Sequence, residues 1–316
     1  MVSPTALPEC WGHRGASAAY PENTLASFSA AILDGAEGIE SDVHVSKDNV
    51  VIMFHDPSLG RTTDTTGLIR EKNWYGDMEH VRTTKRGSDG KTQPIPTFVA
   101  TVDLLMQESH KHVKFNVDVK VQNEPDRLFT LMRDVITAQP NWETELAPRI
   151  ILGLWHPKFI VPAKKYLPWI QLSHIGMSPR VAREFFWESC DAFSLSFPSL
   201  LSAGGEKFRR ECKAAGKKIM VWTVNRREEM IEAVRWGVNA ILTDVTQDWL
   251  MLRSELQRDY TKASAGSRWF LWTRLDYYYI IQFKKWADQH SQLEKVGGRF
   301  QKVLGTLELP SSSLIS

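Results

Sequence analysis

Lys218-Ile-Met-Val-Trp-Thr-Val224, the helical pattern of Arg226–Trp236, and Ala240-Ile-Leu-Thr243 form one strand–helix–strand unit. A helix between two strands of one sheet brings the second strand back parallel to the first. The alternation extends upstream. Strand-like runs end at Trp11 and cover Gly38–Val45, Val113–Val119, Ile150–Leu154, Ile170–His174 and Ala192–Leu195. Helical patterns lie between them, and Gln247–Gln257 follows the last. Counting Val50–His55 as an addition to the second strand leaves eight principal units over about 250 residues, which favours a closed (β/α)8 (TIM) barrel. An open doubly wound sheet is the alternative, but no GxGxxG follows the first strand.

The 316 residues carry 42% hydrophobic and 24% charged side chains, an ordinary globular balance. A net charge of +2 gives no reason to expect a nucleic-acid partner. Cys10, Cys190 and Cys212 are odd in number and lack metal-binding spacing, so buried thiols in a reducing, intracellular compartment are expected. Neither a signal peptide nor a membrane-spanning run is legible. The location read from this is cytoplasmic or peripherally membrane-associated.

Residues 9–255 make up the barrel. The first helix is expected to start with Asn23 as N-cap and stop at Gly35. From about 56 to 96 the chain is polar and glycine-punctuated, long for a loop, and reads as a small inserted subdomain or lid, with a floppy surface insertion as the alternative. Residues 256–316 form an appendage. Lys262–Ser267 reads as a linker and Pro310–Ser316 as a disordered tail. Between them Trp269, Trp272, Leu275, Tyr279, Phe283 and Trp286 recur at helical spacing. That face, with Arg274, Lys284 and Lys285 nearby, suits a membrane interface or packing on the barrel or on a second subunit.

Glu40 and Asp42 are two apart on a strand and share one face. Asn116, Asp118 and Lys120 alternate with Phe115, Val117 and Val119 in the same way. In a barrel both sets point into the mouth at the C-terminal ends of the strands. Three converging carboxylates repel unless a cation neutralises them, and oxygen donors suit Mg²⁺ or Ca²⁺. His13 and His55 end neighbouring strands and fit acid–base chemistry, while Arg14 offers a fork for phosphate oxygens. Trp222 faces the mouth or fills the core. His44, His156, His174 and Asn225 are weaker candidates.

In fixed order, His13-Arg14-Gly15, Pro21-Glu22-Asn23-Thr24, Glu40-x-Asp42, Asp48-Asn49 and His55-Asp56 resemble the glycerophosphodiester phosphodiesterase family. Arg61-Thr62-Thr63 with Gly67, Trp222-Thr223-Val224-Asn225 and Thr243-Asp244 agree with it. The resemblance implies a (β/α)8 barrel with a divalent metal on Glu40, Asp42 and Asp118. It also implies His13 and His55 as the acid–base pair and Lys120 at the phosphate; in the mechanism drawn from these residues Arg14 joins Lys120 there, with His13 as base and His55 as acid. The third ligand is usually Glu in the family, and Asp118 is one methylene shorter.

Gly153-Leu154-Trp155 and the aromatic appendage look most similar to the fungal phosphatidylglycerol phospholipase C branch, although the appendage is amphipathic where that branch has a hydrophobic tail. Phospholipase C-type cleavage of phosphatidylglycerol or a related glycerophospholipid is therefore the leading expectation. Hydrolysis of soluble glycerophosphodiesters is the second, and a non-catalytic lipid-binding barrel the third.

Overall fold

The computed structural model describes residues 6–265 and 282–303. Its nine strands are β1 (Glu9–His13), β2 (Gly38–Val45), β3 (Val51–Met53), β4 (Lys114–Val119), β5 (Ile150–Leu154), β6 (Gln171–Gly176), β7 (Ala192–Ser196), β8 (Lys218–Trp222) and β9 (Ala240–Thr243). All except β3 are parallel. They pair in the cyclic order β1-β2-β4-β5-β6-β7-β8-β9, with β9 returning to β1, so the sheet closes into an eight-stranded barrel. The open-sheet alternative is excluded by the β1–β2 pairing.

The helices used below are α1 (Leu25–Asp34), α2 (Phe98–Met106), α3 (Pro125–Thr137), α4 (Ile160–Tyr166), α5 (Ala203–Ala214), α6 (Arg227–Trp236), α7 (Thr246–Arg258) and α8 (Gln282–Gly297). Phe28 of α1, Phe98 of α2, Phe129 of α3, Phe208 of α5 and Trp249 of α7 are buried in one continuous core with outward-facing strand residues such as Phe115 and Phe193. That explains why the strands read as runs rather than clean alternations: both faces are buried. The three cysteines are free and buried.

Inside the barrel, residue identity changes along the axis. Towards the strands' N-terminal ends, Trp11, Ile151, Met220 and Leu242 pack together as an apolar plug. Gly38 lies flat against Trp11, where a Cβ would come within 2.4 Å of the indole ring. One step up the same faces come His13, Glu40, Asp42, Asn116 and Asp118. Alternation thus puts apolar side chains at the floor and polar ones at the mouth.

The β2–β3 junction explains the position of His55. The first half of β2 pairs with β1, ending at His13↔Glu40. The second half of that edge pairs with antiparallel β3, from Val43↔Met53 to Val45↔Val51. The Phe54 amide donates to the Asp42 carbonyl at 2.9 Å, so His55 leaves the sheet beside the acidic strand.

Two sequence expectations need correcting. Thr24, not Asn23, caps α1: its hydroxyl accepts from the Ser27 amide, and Ser27 caps back. Asn23 instead adopts φ 56°, left-handed, and turns its amide to Asp42. The supposed linker begins as a short helix, Tyr260–Ala263. Gly35 does end α1, at φ 101°.

The insertion packs Leu59, Ile69, Met78, Val81 and Ile95 against Ile52 of β3 and the adjoining Phe54 in one small core. Asp48 anchors it by accepting from the Trp74 and Tyr75 amides at 2.7 and 3.1 Å. Lys85 donates to the Ser17 and Ala18 carbonyls of the β1–α1 loop. At the other end of the chain, the expected aromatic face from Trp269 to Tyr279 lies outside the described residues, and so do the side chains of Phe283 and Trp286. No described helix is long and apolar enough to cross a membrane.

Candidate active site

Glu40, Asp42 and Asp118 offer carboxylate oxygens within 4.8 Å of one another, and all three side chains are buried. Register makes this happen. β2 and β4 pair with Glu40 opposite Asn116 and Asp42 opposite Asp118. This is the grouping expected from the alternating pattern. It is the one such cluster of potential metal ligands among the described residues.

Cations surround the trio. Lys120 Nζ lies 2.5 Å from Asp42 Oδ1 and 2.8 Å from Asp118 Oδ2. Arg14 Nε is 3.5 Å from Asp42 Oδ2, and the Arg14 amide donates to Glu40 Oε2 at 3.0 Å. Arg14 can do both because it adopts φ 57° in the turn after β1. Burial opposes ionisation of Asp42, but Lys120 and Arg14 outweigh it and hold its pKa well below the ordinary value. Glu40 goes the other way: burial, then the charges of Asp42 and Asp118, push it well above the ordinary value. Asp118 is raised by burial to about 6.

Two cations beside three buried carboxylates leave one acid that cannot ionise comfortably. An all-carboxylate set with one repelled member fits a hard divalent ion. The shorter Asp118 is held in place by Trp155, whose Nε1 donates to Asp118 Oδ1 at 2.7 Å.

The two histidines are built alike. His13 Nδ1 is 2.7 Å from Asp244 Oδ1 and His55 Nδ1 is 2.6 Å from Asp56 Oδ1. Burial opposes ionisation of Asp244, yet hydrogen bonds from His13, Ser17 and Asn225 hold it down to about 2. Asp56 is lowered against burial by Arg61 and His55. Ionised carboxylates only accept, so each Nδ1 carries the hydrogen and each Nε2 is left to exchange a proton. Burial, and then the Lys120 charge, lower the pKa of His55.

Both rings line one cavity of about 170 Å³, together with Arg14, Glu40, Asp118 and Lys120. Trp222 lines it too, in edge-to-face contact with Trp155 at 5.6 Å and with Nε1 donating to the Ser194 carbonyl. All eight residues singled out in the sequence therefore converge on the barrel mouth.

The weaker candidates separate. His44 shares the Glu40 face but is buried, with Nε2 at 3.2 Å from the His55 carbonyl. His174 is buried and stacked on Phe186 at 3.8 Å. His156 holds the C-terminal segment through the Gly298 carbonyl. Asn225 steadies Asp244.

The sequence profile of the glycerophosphoryl diester phosphodiesterase family matches residues 13–248. The chain belongs to that family. It is accordingly a phosphoric diester hydrolase. A glycerophosphodiester phosphodiesterase of Bacillus altitudinis is 25% identical over 256 residues, covering 79% of this chain and all of that one. Another, of Caldanaerobacter subterraneus, is 26% identical over 238 residues, covering 73% of this chain and 92% of its own. A phosphodiesterase of Oleispira antarctica, solved with its product sn-glycerol-3-phosphate, superposes with a TM-score of 0.65 at 23% identity, covering 78% of this chain and 96% of that one. A glycerophosphodiester phosphodiesterase of Agrobacterium tumefaciens superposes with a TM-score of 0.62 at 20% identity, covering 78% of this chain and all of that one. These structures share the barrel.

Within this family member, several contributors escaped the sequence reading. The motifs contain Asp244 and Asp56 but do not disclose that they fix the imidazoles. Nothing in the sequence around Trp155 signals its hydrogen bond to Asp118. Glu22 and Arg61 form a bridge: Arg14 Nη1 and Arg61 Nη2 donate to Glu22 Oε1 at 3.0 and 2.6 Å, and Arg61 Nε also pairs with Asp56. Loop contacts of this kind carry no periodic signal.

Proposed function

We propose that the chain hydrolyses glycerophosphodiesters at the mouth of the barrel, with a divalent cation held by Glu40, Asp42 and Asp118. The reading is carried by one observation: two imidazoles with exchangeable Nε2 atoms share a cavity with a buried carboxylate trio and two cationic side chains. The bound Mg²⁺ or Ca²⁺ would supply positive charge to a phosphate oxygen. Arg14 and Lys120 bind the remaining phosphate oxygens and oppose the charge that grows on them.

The lowered pKa of His55 keeps its ring neutral near pH 7, ready to accept a proton. We therefore assign His55 as the base that deprotonates the attacking hydroxyl. His13 is the acid that protonates the leaving alcohol oxygen as the P–O bond breaks. This reverses the order expected from the sequence. Trp222 forms an apolar wall beside the glycerol moiety.

The test is turnover of glycerophosphoglycerol and glycerophosphocholine by the full chain with Mg²⁺ or Ca²⁺, read as released sn-glycerol 3-phosphate. His13→Ala and His55→Ala should each lower kcat by at least about 10²-fold. Near-wild-type turnover in both folded variants rejects the assignment.

A second reading, phospholipase C-type cleavage of phosphatidylglycerol or a related glycerophospholipid at an intracellular membrane surface, draws support from the residues beyond 255. The family match does not include them, and α8 contributes Gln289 to the cavity. Release of diacylglycerol from phosphatidylglycerol vesicles decides it.

A further inference from the structure

Gln289 belongs to α8, far in sequence from the barrel strands, yet it lines the same cavity as His13 and His55. The segment is fastened there. The Lys158 amide donates to His156 Nδ1 at 3.1 Å, so the neutral ring carries its hydrogen on Nε2 and donates it to the Gly298 carbonyl at 2.9 Å. Gly297 passes so close to that ring that a Cβ would sit 2.6 Å from it. Phe300 then packs edge-on against His156 at 4.5 Å, Phe185 at 5.3 Å and His290 at 4.9 Å. A polar clamp and an aromatic cluster thus hold the end of α8 against the loops after β5 and β6.

The docked helix creates a second space. A groove of about 320 Å³ opens between α8 and the barrel. It shares His55, Lys120, Trp155 and Gln289 with the catalytic cavity, so the two adjoin beside the reacting centre. Its walls away from the phosphate are Pro57 and Val121 on one side and Leu293 and Val296 on the other. Val296 is 49% exposed, an apolar side chain left at the edge of this groove. Asp56, Gln122, Gln292 and Lys295 supply its polar lining. A polar head at the carboxylates with an apolar trough leading away is the shape of an amphiphile.

We propose that α8 forms one wall of a subsite for the acyl-bearing part of a glycerophospholipid, seated between Val121 and Pro57 on the barrel and Leu293 and Val296 on the helix. The proposal rests on the phosphodiesterase reading for its polar half, and it makes α8 a determinant of substrate choice. Burying several methylenes in the trough favours acylated over deacylated ligands.

Calorimetric binding to the full chain tests this without turnover. The probes are 1-octanoyl-glycerol 3-phosphate, below its aggregation concentration, and sn-glycerol 3-phosphate. The wild-type chain should bind the octanoyl ligand at least about tenfold more tightly, a difference of 1.4 kcal/mol. Leu293→Trp, which fills the trough, and the solvent-edge change Val296→Asp should each cut that preference to about threefold or less. Affinity for sn-glycerol 3-phosphate should stay within about twofold. Equal binding of the two ligands by the wild-type chain overturns the proposal, as does a preference that survives both substitutions. If the preference holds while glycerophosphodiester turnover is absent, the catalytic reading fails and the groove stands.

Discussion

Asp244 is the most informative single residue for mechanism. It touches neither carboxylate trio nor the expected phosphate position, yet it accepts from His13, Ser17 and Asn225. Its charge fixes the His13 tautomer. Asp244→Asn keeps the shape but removes the anion that faces Nδ1 when His13 carries a hydrogen on both ring nitrogens, the form it needs as the acid. The expected outcome is a fall in kcat of about 10²–10⁴-fold with KM changed little. Steady-state kinetics on glycerophosphoglycerol checks it, and a loss confined to KM would refute the positioning role. The companion pH profile has a defined sign. Burial and Lys120 lower the His55 pKa from 6.5. If neutral His55 is the base, activity persists as acid is added down through pH 6.5 and is lost only below it. An acidic limb centred above 6.5 would remove His55 from that role.

At the scale of elements, the strands were legible and the loops were not, for a physical reason. β2 and β4 advertise themselves because alternation must place Glu40 and Asp42, or Asn116 and Asp118, on one face. Pairing then sets them side by side. Burial of both strand faces blurred the boundaries but not the order. The β1–α1 loop defeated local reasoning. Asn23 has the composition of an N-cap, but tertiary structure recruits it to Asp42 and leaves Thr24 to cap the helix. The insertion's link to the site was not legible, because Arg61 reaches Glu22 across 39 positions. That link makes a prediction. Arg61 is 46% exposed, so its ion pairs contribute little to stability. Removing it should instead loosen Asp56 and, through it, His55. Arg61→Ala is expected to lower kcat by about tenfold while changing the unfolding free energy from denaturant titration by under about 1 kcal/mol. A stability loss with unchanged kcat would mean the bridge only fastens the insertion.

For the whole molecule, the carboxylate trio ties folding to a cation. A barrel that buries Glu40, Asp42 and Asp118 together sets like charges close in a poor solvent, and Glu40 shows the cost in its raised pKa. The unfolded chain has no such cluster, so a divalent ion binds the folded state selectively and stabilises it by about 2.7 kcal/mol at one hundred times its Kd. For a domain of this size that is a rise in Tm of about 5–10 °C. The effect has a pH sign. Asp118 sits at about 6 and Glu40 is also raised, so both hold protons in mild acid that a cation must displace. The shift should therefore be larger at pH 7.5 than at pH 5.5. Asp118→Asn, which keeps the side-chain size and removes a charge, should lose most of it. Thermal melts after chelation, then with Mg²⁺ or Ca²⁺ restored, measure all of this directly. An unchanged Tm with both ions at both pH values would mean that Lys120 and Arg14 already satisfy the acids and that no metal is held there.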